Sequence, residues 1–159
     1  MSKLAIYLND HHAASVGAVA LARRSAQRNR GTRYGEMLAT LAEEIEEDRQ
    51  ALRLIMQRVG VRADPAKAAA AWSAEKLGRL KLNGQLTGYS PLSRLEELEI
   101  LSLGVEGKLG MWRALGRAVD HGVPEAELEP LITRAQSQRR RLERQRLEAA
   151  AEAFSSTGT

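Results

Sequence analysis

From Tyr34 to Val59 the chain reads YGEMLATLAEEIEEDRQALRLIMQRV, with apolar residues at Tyr34, Leu38, Leu41, Ile45, Leu52, Ile55 and Val59. Steps of four and three, with one of seven, lay these side chains in a single stripe along an α-helix. A stripe that long is stable only when packed against other helices, so it commits the chain to a helical core. One place in it does not suit a core. Asp48 stands where an apolar residue is due, and a carboxylate enclosed among helices has to be paired and hydrogen-bonded.

The rest of the chain supplies the neighbours. A first helix is expected from Ser2 to Gln27, with Leu4, Leu8, His11, Ser15, Val19 and Ala22 inward and a turn at Asn29 and Gly31. Thr32 is placed to cap the second helix, Gly35 weakens its first turn, and Gly60 suits a left-handed cap. Asp64-Pro65 opens a third helix with a thin line of Ala66, Ala70, Ser73, Leu77 and Leu80, ending near Asn83-Gly84. Residues 83–90 read as a loop, and 62–90 as a long crossover. Ser90-Pro91 starts a fourth helix running to Asp120, with Leu95, Leu98, Ser102, Val105, Leu109, Trp112 and Val119 inward. Ile100, Leu101 and Leu103 fill its other faces, which marks it as enclosed, and Gly104, Gly107 and Gly110 offer a smooth strip for close helix packing. Gly122 and Pro124 stop it, with His121 complementing the helix end. After a short turn at Glu125–Leu128 and Pro130, a fifth helix runs to about Phe154, with Leu131, Ala135, Gln138 or Arg139, Leu142 and Ala149 inward.

The 159 residues fit one domain, 1–154, followed by a disordered tail at 155–159. No apolar run approaches the ~20 residues that span a bilayer, and the start lacks the apolar segment of a signal peptide. The absence of cysteine excludes disulfides and iron–sulfur clusters; a cytoplasmic location is the expectation. The 24 basic and 20 acidic side chains leave a net charge of only +4, and both signs come in blocks. Such blocks on separate helices form solvated faces or ion pairs between helices. Arg23, Arg24, Arg28, Arg30 and Arg33 suit the negative end of the first helix dipole. An alternative use for them is a phosphate or nucleic-acid patch, with Tyr34 its single interleaved aromatic.

Two strings carry a resemblance. Leu8-Asn9 resembles the opening of the first helix in bacterioferritin-type chains, and EEIEEDRQALRLIMQRVG at 43–60 resembles that family's second helix. The resemblance implies an all-α, ferritin-like four-helix bundle: two antiparallel helix pairs joined by a long crossover that contains an extra helix. Members with a di-iron centre take one Glu from each of two helices and Glu-x-x-His from each of the other two. In the register of that family the ligand positions fall on Ser15, on Ile45 and Asp48, on Glu106, and on Ala135 and Gln138. Two carboxylates in six places do not make a di-metal centre, so ferroxidase activity does not carry over.

Helix midpoints bring Ser15, Asp48, Glu106, Gln138 and Arg139 to one depth. The expectation is that Arg139, with Arg113 as substitute, pairs with Asp48 and Glu106 and takes the place of metal charge, so that no cofactor is needed. The alternative is a non-standard centre holding iron, manganese or zinc on His11, Glu44, Asp48 and Glu106. Ser15 beside His11 or His12 is helical spacing without an oxyanion site, and no Walker or dinucleotide motif occurs. The expected role is therefore a non-enzymatic structural or interaction protein. Apolar positions left on the outer faces of the third and fourth helices would serve a homodimer.

Overall fold

The computed structural model describes residues 2–70, 88–118 and 123–155, whose regular structure is all helical. Two long helices, α1 (Lys3–Arg28) and α2 (Arg33–Arg58), come first; a stretch at 65–70, α3, follows. Then come α4 (Pro91–Leu115) and α5 (Glu125–Phe154). No described helix is long and apolar enough to cross a membrane.

Short polar side chains close the first turns, where backbone N–H groups lack helical partners. Ser2 accepts from the Ala5 amide, Thr32 from Gly35, Asp64 from Ala66, and Ser90 from Ser93. α2 ends with Gly60 at φ +71° while the Val61 amide reaches back 2.8 Å to the Met56 carbonyl, the glycine-capped ending its sequence favours.

α1 packs along α2, α4 along α5, α1 along α4, and α2 along α5. Ion pairs give the directions. Arg28 at the end of α1 meets Glu97 near the start of α4, and Arg33 at the start of α2 meets Glu152 near the end of α5. Arg94 at the start of α4 also meets Glu152. Each neighbouring pair is thus antiparallel, and α2 faces α4 across the diagonal.

Two apolar clusters fill the interior. One gathers Leu38, Leu41, Ile45, Leu98, Val105 and Leu142; the other gathers Leu8, Leu52, Ile55, Leu109, Trp112 and Ala135. The boundary falls between Ile45 and Leu52 on α2, between Val105 and Leu109 on α4, and between Ala135 and Leu142 on α5. Asp48, Lys108 and Gln138 occupy those gaps.

Several expectations need correction. α4 ends at Leu115, not Asp120, because Gly116 favours a tighter turn in which Arg117 and Ala118 bond to Ala114 and Leu115. α5 begins at Glu125 and contains Pro130; burial of Leu128 and the Arg58–Glu127 ion pair hold its first turns in the helix. Ala66 and Ala70 are exposed, since the Lys67–Asp10 pair turns the neighbouring face toward α1. On α1 it is His12, not His11, that is buried. No described atom lies within 4 Å of a Cβ placed at Gly104, Gly107 or Gly110, so no described backbone packs on that strip. The expectations for Ser73, Leu77 and Leu80, for the turn at 83–87, for Val119, Asp120, His121 and Gly122, and for residues 156–159 lie outside the described residues.

Gly35 does more than weaken a first turn. A Cβ there would run into the backbone carbonyl of Asn29, which is itself held by the tight link between α1 and α2. Gly35→Ala should therefore destabilise the protein by about 1–3 kcal/mol, the range for overpacking, despite alanine's better helix propensity. Urea denaturation of the two proteins measures the difference, and an unchanged or raised midpoint would show that the link opens freely.

Candidate functional site

Asp48 is only 2% exposed, at the mid-depth of α2 between the two apolar clusters. Its Oδ1 accepts from Arg134 Nε on α5 at 2.8 Å, with Nη2 of the same guanidinium in ion-pair contact at 2.6 Å. Its Oδ2 accepts from Lys108 Nζ on α4 and from Gln138 Nε2 at 3.2 Å. A carboxylate offers about four acceptor positions, and three hydrogen bonds and two cations engage this one. Gln138 is fully buried and works both ways: its Oε1 accepts from Lys108 Nζ, and its Nε2 also donates to Glu44 at 3.1 Å.

Around this centre the charges balance. Arg134 also reaches Glu47 at 2.7 Å, and Arg141 pairs with Glu44 at 2.5 Å. Three carboxylates, one ammonium and two guanidiniums form one network across α2, α4 and α5. Burial pulls the Lys108 ammonium below the ordinary lysine range, against the attraction of Asp48, and Arg134 pulls it the same way. A recess of about 60 Å³ lies beside the network, lined by His11, Ser15, Ile45, Asp48, Lys108 and Trp112 among others.

The expected centre is thus assembled from partly different residues. Asp48 and Gln138 do meet. Arg139 does not reach Asp48; it lies on the outer side of α5, 3.2 Å from Glu106, and both side chains are about half exposed. Arg113 is exposed in the last turn of α4. Ser15 is half-buried and donates to the His12 carbonyl. The four residues of the alternative metal set do not come together as one site: Glu44 and Asp48 share Gln138 and His11 lines the same recess as Asp48, but His11 stacks edge-on against Tyr7, Glu44 pairs with Arg141, and Glu106 points outward. Among the described residues no three His, Asp or Glu side chains group as a metal site.

A second buried carboxylate ties the other end together. Glu97 accepts from Ser25 and from Tyr89 at 3.0 Å, with Arg28 at 3.2 Å and Arg24 at 3.8 Å. Nearby, Arg94 donates to the buried Asn29 and lies 4.5 Å over the Tyr34 ring. Arg33 pairs with Glu148 and Glu152. Of the five arginines considered for phosphate, Arg24, Arg28 and Arg33 thus face carboxylates, and all but Arg24 are exposed.

Sequence reasoning missed Lys108, Arg134, Arg141, Glu47 and Glu97. The signal for Lys108 was present. Leu101, Val105, Trp112 and Leu115 keep the same three-four spacing with Lys108 as the odd member, which mirrors the place of Asp48 in α2. Compared with known protein families, characterised proteins and solved structures, the chain matches none.

Asp48→Ala leaves Lys108 and Arg134 close together without their anion and should cost about 3–5 kcal/mol, as for a broken buried pair. Lys108→Met leaves Arg134 on Asp48 and should cost less. Denaturant titrations of both variants give the order, and a reversed order would place the stabilisation in Lys108 instead.

His12 makes a separate prediction. Its ring is buried, with neither nitrogen hydrogen-bonded among the described residues. Burial lowers its pKa, and Arg49 and Arg53 lower it further. Below the ordinary histidine value near pH 6.5 the unfolded chain takes up a proton that the folded chain refuses, so stability falls with pH. The loss continues down to the depressed folded value. His12→Gln should flatten that slope relative to the parent protein in urea titrations at neutral and mildly acid pH; equal slopes would exclude His12 as its source.

Proposed function

We propose that this chain is a ferritin-like helical bundle without the standard di-iron site, acting as a homodimeric structural or interaction module and not as an enzyme. The observation that carries this reading is the pairing of Asp48 with the protein's own side chains. Both oxygens are bonded to the protein's own cations and to Gln138, so a metal bound there would have to compete with a buried ion pair.

Support for the ferritin-like part comes from topology and register. The helices pair first with second and fourth with fifth, and α2 and α4 stand across the diagonal. Asp48 and Gln138, the positions where that family's histidines are expected, share a hydrogen bond. In this reading Lys108 and Arg134 supply positive charge where a metal pair would sit, and their role is to fix the helices.

Elemental analysis after loading with iron, manganese or zinc, together with iron-dependent oxygen consumption, tests the proposal. The expected result is no stoichiometric retention and no oxygen uptake above the uncatalysed rate. Two metal ions retained per chain, and lost in Asp48→Ala, would overturn it.

A further inference from the structure

α4 carries two stripes, and only one has a described partner. The inner stripe faces α1 and α5. The other follows Leu92, Glu96, Ile100, Leu103, Gly107, Gly110 and Ala114, again by steps of four and three. Leu103 is 75% exposed, and Leu92 and Ile100 are also large apolar residues open to solvent. Exposed apolar residues gathered on one face mark an interaction surface.

The stripe is divided in a useful way. Its N-terminal half is bulky and its C-terminal half consists of glycine and alanine, with open space around Gly107 and Gly110. We propose that this face binds a second copy of the chain, with the two α4 helices antiparallel about a two-fold axis near Gly107. That arrangement sets Leu103 over the partner's Gly110 and Ile100 over the partner's Ala114, filling each small half with a large one. A parallel arrangement would stack Leu103 on itself and leave the glycine half empty.

Charge points to the same occupant and the same direction. Glu96 lies within the bulky half and Glu99 beside it, Glu99 also 3.4 Å from Arg146 of its own chain; Arg113 and Arg117 flank the small half, exposed and without an ion-pair partner among the described residues. About the same axis Glu99 falls opposite the partner's Arg113, and Glu96 opposite the partner's Arg117. The surface is therefore complementary to itself, as a two-fold interface requires. This deepens the assembly part of the proposed function and is independent of whether metal binds.

Sedimentation of the full chain at micromolar concentrations should give a dimer, and Leu103→Glu should weaken it by about 100-fold, a hot-spot loss. Arg113→Glu should weaken the dimer, and adding Glu99→Arg should restore it. The chain has no cysteine, so orientation can be read by disulfide trapping at exposed positions that leave the fold intact. A chain with Leu103→Cys mixed with one carrying Gly110→Cys should form a crossed disulfide, whereas Leu103→Cys alone should not link to itself. A monomer at high micromolar concentration, a dimer indifferent to Leu103→Glu, or self-linking of Leu103→Cys would each overturn the proposal. Metal retention in the loading experiment would leave it standing.

Discussion

The carboxylate of Asp48 has been taken out of water, and the cost of doing so shapes the middle of the molecule. An ion enclosed in that way loses several kcal/mol of hydration, which must be regained through close, well-directed partners. Arg134 and Lys108 come from two different helices to supply them, and Gln138 adds a third hydrogen bond. The helix-to-helix arrangement and the identity of these four residues are therefore mutually dependent. Moving any one helix breaks the compensation for the others.

The fold was legible wherever local chemistry decides. Helix starts at Ser2, Thr32, Asp64 and Ser90 were visible because a short polar side chain precedes each helical run. The stripe of α2 and its exception at Asp48 were visible because the remaining faces of that helix are charged. α4 was harder to read. It is apolar almost all round over 98–105; its inner stripe was legible at Leu95, Leu98, Val105, Leu109 and Trp112, but the ligand register of the resembling family put Glu106 inward and drew attention away from Lys108. In α5 the difficulty was the reverse. Arginines stand at 134, 139, 140, 141 and 144, and periodicity cannot say which of these long side chains reaches a particular carboxylate. Glu97 was missed because its burial depends on Ser25, far away in sequence, and on Tyr89 in the segment leading into α4, where periodicity carries no signal.

The two buried acids solve the same problem in different surroundings. Asp48 lies in a layer between apolar clusters and is neutralised by cations from α4 and α5. Glu97 lies near the end of α1 and draws on hydroxyls as well as guanidiniums, with Arg94 and Tyr34 packed nearby. Together they pin the helices at two depths, and hydrophobic stripes alone would leave the axial position loosely defined. Arginine suits this work because its planar fork can bridge two carboxylates, as Arg134 does between Asp48 and Glu47.

The charged layer between the two apolar clusters also sets a cost on misassembly. Leucines are interchangeable to a slipped helix: displaced by one heptad, Leu109 or Trp112 would still meet aliphatic neighbours. Lys108 has no such freedom, because seven residues away it would face hydrocarbon while Asp48 was left bare. The layer thus acts as an index mark, raising the energy of every shifted alignment far more than it lowers that of the right one.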